Sequence, residues 1–384
     1  MRGKGEGTVF KDKRGLWTVA VELPPINGER RRKVIRRKNK RDALAALAQL
    51  KADLAARGDL PTHDQTVEQW FTYWLTMAQR QVRPNTYTGY AAVVKHIVAA
   101  IGPTKLSKVT ATHVRRVHAH MEQQGFSSTY QLLAHRVMAL SFKQAENEGR
   151  IGRNPANQTP APRKRVAQLE ALSLEEALEV IAALSHDPEG ARWITHILTG
   201  ARRGEVLGLE LDRVGDELDL SWQLQRIPVG AEVPADFERR HLVGGLWLTR
   251  PKSKAGWRIV PLVDPLKSVL ERHIAAHGPN EYGLVFTRDG RPYDPDQVSK
   301  EWRDVLGRVG IEKNIRLHDL RHTAVDLLLL AGVPEDVVME IVGHSTRATT
   351  RAYKSRNSPR LRAAMQDLAD MLTRAADTRR ELES

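Results

Sequence analysis

Residues 315–353, near the C-terminal end of the chain, constrain the fold more tightly than any other stretch. The apolar side chains of its first half recur at helical spacing, at Leu320, Ala324, Leu327 and Ala331. Gly332 is a residue type that commonly ends a helix, and Pro334 favours the start of a second helix that would end at Gly343. The pattern therefore predicts two short helices joined by a tight turn.

Polar residues are arranged around these two helices. His318 and Arg321 are three residues apart at the start of the first helix, so their side chains fall on one helical face. His344 follows the second helix, and Tyr353 comes nine residues later, where we expect another short helix that folds back over the same place. We therefore expect two imidazoles, a guanidinium and a phenol to converge.

These groups together suit phosphoryl transfer to an oxygen. Arginine presents a rigid fork of donors that matches phosphate oxygens, and a tyrosine hydroxyl can act as an oxygen nucleophile. The ordered combination favours phosphoryl transfer to Tyr353. The structural alternative is that the His-x-x-Arg pattern occurs by chance, that His344 caps a turn, and that Tyr353 is half-buried core.

The net charge of the chain indicates its partner. The 384 residues carry a formal charge of +14, and residues 1–41 alone hold 14 Lys and Arg against 4 Asp and Glu. This balance predicts a polyanionic partner, and double-stranded DNA is the usual one. The sequence has no cysteine and no long apolar run, so we expect a cytoplasmic protein without disulfides, nucleoid-associated when bound to DNA and without a membrane partner.

The basic N-terminal region has the pattern of a small sheet followed by a helix. Short strands are predicted near residues 8–10, 17–23 and 33–37, and Asn27-Gly28 is a hairpin turn signal. The following helix would end at Gly58 and bury a stripe of Leu44, Leu47, Leu50 and Leu54. The basic residues of this region are candidates for DNA contact rather than a merely solvated charged face: Arg30, Arg31, Arg32, Lys33, Arg36, Arg37 and Lys38.

Residues 66–150 have the pattern of a four-helix domain. Thr66 and Gln69 form a capping-box signature, and Pro84 starts the second helix. We expect the aromatic residues of this segment to form its core, with base stacking as the minor alternative. Basic residues outside the apolar stripes are candidates for phosphate contacts: Lys95, Lys105, Arg115 and Arg136.

The third part of the chain follows a linker-like segment, residues 149–165, that contains Asn154-Pro155. In the patch Thr199–Glu205, Arg202 lies three residues before Glu205, so the carboxylate is expected to orient its guanidinium, although an ordinary surface ion pair would have the same spacing. Alternating residues in 217–262 predict one small antiparallel sheet, with 228–245 as an insertion or a DNA-facing loop. Lys254 would lie at a hairpin tip, where a lysine can protonate a leaving oxygen or simply contact a phosphate.

Five motifs in order carry a resemblance to a known family. They are Thr-Gly-x-Arg-x-x-Glu, Ser-Lys-x-Gly, His-Asp-Leu-Arg-His-Thr, Gly-His-Ser and Thr-Thr-x-x-Tyr, spread over residues 170–355. Their combination resembles the tyrosine recombinases, specifically the integrases of phages and mobile elements. The resemblance implies an α+β multidomain fold. The implied parts are an arm-type DNA-binding domain at 1–58, a helical core-binding domain at 66–150, a mainly helical catalytic domain at 166–356 with a small antiparallel sheet, and a helical tail at 357–384.

The resemblance also implies a role for each motif residue. Tyr353 would attack the scissile phosphate and leave a 3′-phosphotyrosine, while Arg202 and Arg321 bind the non-bridging oxygens. The remaining roles are proton transfer by His318, protonation of the leaving 5′-oxygen by Lys254, a phosphate hydrogen bond from His344 and support of Arg202 by Glu205. Lys252 stays open as the alternative lysine, and Arg202 is preferred to Arg203 because of its spacing to Glu205. No metal and no cofactor are expected.

The implied function is site-specific integration or excision of a mobile element. The implied partners are double-stranded DNA at core and arm attachment sites and a homotetramer on DNA, with a directionality factor and a host DNA-bending protein as further candidates. The alternatives are a DNA-relaxing enzyme similar to the type IB topoisomerases and a DNA-binding regulator without chemistry. The tail has an apolar stripe that would dock on a neighbouring protomer or, alternatively, pack on its own domain: Leu361, Met365, Leu368 and Leu372.

Overall fold

The fold was analysed in a computed structural model of the chain. It describes residues 7–26, 29–58, 64–165, 170–228, 230–234, 236–251, 257–343 and 359–383. Contacts divide the chain into two compact units, one of residues 1–166 with 232–234 and the other of residues 167–231 with 235–384. Within the first unit, the N-terminal sheet and the helices that follow have separate hydrophobic cores. The division into an arm-type domain, a core-binding domain and a catalytic domain stays a prediction.

The predicted N-terminal sheet is present. Its antiparallel strands are β1 (Thr8–Lys11), β2 (Trp17–Ile26) and β3 (Glu29–Arg37), with β2 in the centre, and helix α1 (Lys40–Arg57) packs on one face. The prediction that Leu44 is buried was wrong, because its side chain is 48% exposed. Ala43 is buried in its place, since Ala43 and not Leu44 continues the helical stripe of the buried and half-buried leucines at 47, 50 and 54.

The helical part of the first unit has the predicted four helices. They are α2 (Val67–Gln81), α3 (Pro84–Ile101), α4 (Ala111–Gln123) and α5 (Ser128–Asn147), with a 3-10 turn at Leu106–Lys108. Thr66 and Gln69 close the predicted capping box, with bonds of 3.2 and 2.9 Å. Trp70, Phe71 and Trp74 are buried, and the Trp70 indole donates to Ser141 Oγ at 2.8 Å, so these aromatics form the core as expected.

The second unit is a mainly helical structure with several very small sheets. Its helices are α6 (Leu174–Leu184), α7 (Gly190–Thr199), α8 (Arg203–Leu207), α9 (Leu266–His277), α10 (Pro295–Val309), α11 (Leu320–Leu330), α12 (Glu335–Val342) and α13 (Pro359–Glu383), with 3-10 turns at Leu211–Arg213 and Leu317–Asp319. Its strands are β4 (Glu217–Asp219), β5 (Gln223–Arg226), β6 (Arg239–Val243), β7 (Leu246–Thr249), β8 (Ile259–Pro261), β9 (Thr287–Arg288) and β10 (Arg291–Pro292). Across the described ranges, no helix combines the length and the apolar character needed to cross a membrane.

The prediction of one sheet within residues 217–262 was wrong. The structure forms a two-stranded sheet of β4 with β8 and a separate three-stranded sheet in the order β5-β7-β6. The stretch 217–226 is divided between the two sheets. After β4, which pairs with β8, the Leu220 N–H still donates to the Arg258 carbonyl at 3.0 Å, and the chain then enters β5, which pairs with β7. The segment 228–245 supplies the edge strand β6, so part of the expected insertion is regular structure.

The tail helix α13 packs on the unit to which it belongs. Its predicted stripe is buried in the core of the second unit, where α13 contacts β8, α11 and α12: Leu361, Met365, Leu368 and Leu372. Near its start, Arg360 pairs with Asp336 at 2.8 Å, and Arg362 donates to the Asp216 carbonyl at 3.2 Å. The structure thus supports the second of the two alternatives for this stripe, packing on its own domain.

Candidate active site

The turn after α7 brings three helices together. Gly200 ends α7 at a φ of +58°, a left-handed conformation that favours glycine. A Cβ at this position would lie 3.1 Å from both Ala324 Cβ and Val342 Cγ1. The absence of a side chain at Gly200 therefore allows α11 and α12 to approach the end of α7, and the Gly200 carbonyl accepts a bond from Arg321 Nη1 at 2.9 Å.

A buried histidine also fixes the turn after α7. His196 Nδ1–H donates to the Ala201 carbonyl at 3.0 Å, and the side chain of His196 is 1% exposed. Burial, which disfavours the charged imidazolium, lowers the pKa of His196 to about 4. The neutral ring therefore holds the turn that precedes Arg202 at neutral pH.

This histidine should make the second unit sensitive to acid. Because the pKa of His196 is lower in the folded state than the ordinary 6.5, its contribution to stability is complete above pH 6.5 and decreases as the pH falls towards 4. The full loss corresponds to about 3 kcal/mol. We expect His196→Asn, which retains an N–H donor but cannot ionise, to show a weaker decrease of unfolding free energy between pH 6.5 and 4 in urea titrations. Equal pH slopes for the two proteins would contradict this expectation.

Arg202 is held by a buried carboxylate. Arg202 Nη1 lies 2.6 Å from Glu205 Oε1, and its Nη2 lies 3.3 Å from the Gly343 carbonyl oxygen. Glu205 is 1% exposed, while the Arg202 side chain is 39% exposed and can reach a ligand. Arg203, the alternative arginine, instead donates to Ser299 Oγ of α10 at 2.9 Å. Arg202 is thus the arginine that Glu205 orients.

A second arginine, Arg258, was missed by sequence reasoning. It lies directly before β8, is 5% exposed, and donates Nη2–H to the other carboxylate oxygen of Glu205 at 2.8 Å. Its Nη1 donates to the carbonyls of Thr199 and Ile341, so one guanidinium joins the ends of α7 and α12. Burial opposes ionisation of Glu205, but the charges of Arg258 and Arg202 hold its pKa below the ordinary value. A cation in an apolar strand, Trp-Arg-Ile-Val-Pro, was the available signal.

His318 and Arg321 lie together at the start of α11, as the spacing predicted. His318 is in the 3-10 turn and reaches solvent, whereas Arg321 lies in the first turn of α11 and is only 4% exposed. Asp319 anchors this turn through Arg316 Nε at 2.8 Å. Shielding from water by the surrounding protein is the main cause that lowers the pKa of His318, and the charge of Arg321 is the second. The neutral imidazole, which can accept a proton, is therefore favoured.

The site concentrates positive charge. Burial, followed by the charges of Arg258 and Arg202, lowers the pKa of Arg321 to about 9. Arg321 still remains protonated at neutral pH, and three guanidinium groups face the single carboxylate of Glu205. Such a group of fixed donors favours an anion, because an incoming phosphate would relieve the repulsion among the cations.

The remaining candidates outside the N-terminal region divide into two groups. Lys254, its alternative Lys252, His344 and Tyr353 lie outside the described residues. The candidates for phosphate contacts on the helical part of the first unit are all exposed: Lys95, Lys105, Arg115 and Arg136. Among the residues that the structure describes, no group of three or more His, Cys, Asp or Glu side chains is placed to hold a metal ion.

Comparison with known proteins identifies the family of the chain. The family described as "Phage integrase family" matches residues 171–360, and "Phage integrase, N-terminal SAM-like domain" matches residues 66–121. The chain belongs to this integrase family and is a tyrosine recombinase. The recombinase is 28% identical to an integrase from Saccharopolyspora erythraea, over 91% of this chain and 92% of that relative.

Solved structures show the same fold. The recombinase is similar to the Tn1549 transposon integrase in complex with a circular intermediate DNA, with a TM-score of 0.63 and 18% identity over 79% of this chain and 100% of that chain. It is also similar to the lambda integrase tetramer bound to a Holliday junction, with a TM-score of 0.55 and 15% identity over 88% of this chain and 96% of that chain. The α+β architecture implied by the sequence motifs is therefore confirmed.

Proposed function

We propose that this recombinase integrates or excises a mobile element by cutting and rejoining DNA at Tyr353. The phenolic oxygen would attack the scissile phosphate, forming a bond from phosphorus to the tyrosine and breaking the bond to the 5′-oxygen. His318 would take the phenolic proton, and Lys254 would give a proton to the leaving 5′-oxygen. The products are a 3′-phosphotyrosine and a free 5′-hydroxyl, and the reverse sequence rejoins a strand without ATP.

The fixed guanidinium groups are the observation that carries this proposal. Arg202 and Arg321 would bind the two non-bridging oxygens, where negative charge develops in the transition state, and His344 would add a hydrogen bond. Support comes from the buried pairing of Glu205 with both Arg202 and Arg258, which holds the first arginine before a substrate arrives. The lowered pKa of His318 suits its role as proton acceptor.

A trapping experiment tests the function and separates it from the alternatives. DNA that contains the attachment site is nicked a few nucleotides from the scissile phosphate, so that the short fragment released by cleavage diffuses away and the adduct accumulates. We expect a covalent protein–DNA adduct that resists denaturing electrophoresis; a DNA-binding regulator would form none. Strand exchange between two duplexes then distinguishes recombination from the simple relaxation of a topoisomerase-like enzyme.

The partners follow from the same proposal. Core-site DNA would bind both the helical part of the first unit and the second unit, with exposed basic residues such as Lys95, Arg115 and Arg136 near phosphates. Four copies would assemble on two duplexes, as the lambda integrase does on a Holliday junction. A directionality factor and a host DNA-bending protein would choose between integration and excision.

The N-terminal sheet would bind arm-site DNA through its open face. The strand register pairs Arg32 with Glu22 and Arg36 with Thr18, on the face away from α1. Arg30 lies two residues before Arg32 in the same strand, so its side chain belongs to the same face. Two exposed apolar side chains, Phe10 and Val34, share this face and would suit contacts to thymine methyl groups.

The remaining basic residues of the strand point to the other face. Arg31, Lys33 and Arg37 pair with Leu23, Val21 and Trp17, on the face that α1 covers. Burial lowers the pKa of Lys33, in agreement with this placement. Lys38 follows the end of the strand. The seven candidates therefore cannot all contact one duplex through the same face of the sheet.

The two faces give a direct test of arm binding. We expect Arg32→Ala and Arg36→Ala each to weaken binding to arm-site DNA by about tenfold, because each removes a charged hydrogen bond. For a phosphate contact, the slope of log K against log salt should also fall by about 0.9 per residue. Arg31→Ala and Arg37→Ala are the matched controls, and salt-dependent fluorescence anisotropy measures both sets. Equal losses from both faces would contradict the assignment.

A further inference from the structure

A buried arginine, Arg258, contacts the supports of both arginines that are proposed to bind the scissile phosphate. It is 5% exposed, and its guanidinium reaches three separate points of the second unit. Nη2 donates to Glu205 Oε2 at 2.8 Å, while Nη1 donates to the Thr199 carbonyl at 3.2 Å and to the Ile341 carbonyl. A guanidinium suits several acceptors at once because its N–H groups form a rigid planar fork.

The first contact of Arg258 leads to Arg202. Glu205 uses its two carboxylate oxygens for different arginines, Oε1 for Arg202 Nη1 at 2.6 Å and Oε2 for Arg258. The carboxylate is 1% exposed, so the protein and not solvent determines its position. A displacement of the Arg258 guanidinium would therefore pass to Arg202 through this carboxylate.

The second contact leads to Arg321. Thr199 directly precedes Gly200, whose carbonyl accepts a bond from Arg321 Nη1 at 2.9 Å. A Cβ at Gly200 would lie 3.6 Å from Arg321 Cγ, so this turn is also close to the stem of the arginine side chain. By holding the Thr199 carbonyl, Arg258 fixes the peptide group next to the one that Arg321 contacts.

The third contact concerns the end of α12. Ile341 lies two residues before Gly343, whose carbonyl oxygen lies 3.3 Å from Arg202 Nη2. The ends of α7 and α12, which provide the backbone contacts of Arg321 and Arg202, are thus joined through one guanidinium.

Binding of one phosphate by two arginines depends on the distance between them. Each guanidinium can meet its own non-bridging oxygen only at the right separation, and a misplacement of about 1 Å can cost about a hundredfold in rate. Arg202 precedes α8 and Arg321 lies in α11, so no local spacing in the sequence sets this distance. Their like charges repel each other as well, so contacts within the protein must hold the pair together.

We propose that Arg258 is a positioning residue that sets the separation of Arg202 and Arg321, so that both guanidinium groups meet the oxygens of one phosphate. It acts through Glu205 and through the ends of α7 and α12, and not on the phosphate. This inference rests on the phosphate-binding roles proposed above for Arg202 and Arg321.

Substrates with a neutral scissile group test this role. Replacing one non-bridging oxygen by a methyl group gives a methylphosphonate, which lacks one negative charge and one acceptor. The arginine that would bind that oxygen is therefore needed less. The two stereoisomers replace one oxygen or the other, and Arg202→Ala and Arg321→Ala identify which isomer relieves the loss of which arginine.

Arg258→Met is expected to slow single-turnover cleavage of the ordinary nicked substrate by about a hundredfold. Because both arginines lose their placement, each isomer should reduce this loss to about tenfold, relative to the unaltered protein on the same isomer. Arg258→Lys keeps a positive charge for Glu205 but not the planar fork. It should show the same pattern with a smaller fall in Tm, which separates placement from stability.

Arg192→Met is the matched control. Arg192 is another buried arginine of the second unit, 2% exposed, and it pairs with Glu189 and Glu301 at 2.5 and 2.7 Å. Its replacement breaks a buried ion pair but leaves the contacts of Arg258 in place. Any loss of folded protein should lower cleavage of all three substrates by the same factor. Thermal unfolding and gel-shift titrations measure stability and DNA affinity for each variant.

The outcomes separate this inference from the proposal beneath it. An equal loss on all three substrates in both Arg258 variants would show that Arg258 only stabilises the unit and would overturn the inference. Relief by one isomer alone would also overturn it, because only one arginine would then depend on Arg258. If neither isomer relieves Arg202→Ala or Arg321→Ala, the phosphate-binding roles of these two arginines are rejected, and the inference is rejected with them.

Discussion

Tyr353→Phe is expected to abolish the covalent adduct with nicked attachment-site DNA. Phenylalanine lacks the hydroxyl oxygen that would bond to phosphorus, and no other group in the site would replace that oxygen. We expect the cleavage rate to fall by at least about a thousandfold, measured as adduct on denaturing gels. DNA affinity should be nearly unchanged, because the fixed arginines remain.

A second tyrosine provides the matched control. Tyr282 belongs to the same unit and is half-buried, and it lies outside the cluster of Arg202, His318 and Arg321. Tyr282→Phe should form the adduct at the normal rate. An adduct that persists in Tyr353→Phe would show that another group is the nucleophile and would reject the proposed mechanism.

Glu205→Gln is expected to have the largest effect on stability. The variant leaves the buried guanidinium of Arg258 without its carboxylate, and breaking a buried pair of this kind costs about 3 kcal/mol or more. For a unit of this size, the loss corresponds to a fall in Tm of about 10 °C, measured by thermal unfolding. Cleavage should also fall by about a hundredfold, because Arg202 loses the group that orients it.

Two further variants separate stability from catalysis. In Glu205→Gln/Arg258→Met, the uncompensated buried charge is gone, so the Tm should recover partly while cleavage stays low. Glu179→Gln removes only an exposed pair with Arg379, whose side chains are 41% and 44% exposed, and should change the Tm little. If Glu205→Gln unfolds at the same temperature as the unaltered protein, the buried pair does not have the assigned role.

Local patterns in the sequence predicted much of the fold because local chemistry decides them. The capping residue Thr66, the stop at Gly332 and the spacing of His318 and Arg321 all depend on neighbours within one or two helical turns. Each therefore appears in the structure as expected. Arg202 and Glu205 belong to the same class, since their three-residue spacing already places them in contact.

Features that depend on partners far apart in the sequence could not be predicted from local patterns. Arg258 contacts Glu205 and Ile341, and neither lies close to it in the sequence. Arg192 is buried in an apolar helix, where it pairs with the nearby Glu189 and also, at 2.7 Å, with Glu301 of α10, which lies far along the chain. The split of the predicted sheet into two has the same origin, because pairing partners and not strand propensity determine which ladder a short strand joins.

The packing of α13 on the second unit limits the positions that Tyr353, the proposed nucleophile, can reach. Pro359 begins a helix whose stripe is buried in the second unit, and Gly343 ends another helix of the same unit. Tyr353 lies six residues before Pro359, so its backbone can extend at most about 20 Å from that fixed point. Because Gly343 and Pro359 both belong to the second unit, the tyrosine proposed as nucleophile is tied by short segments to the unit that carries Arg202, His318 and Arg321.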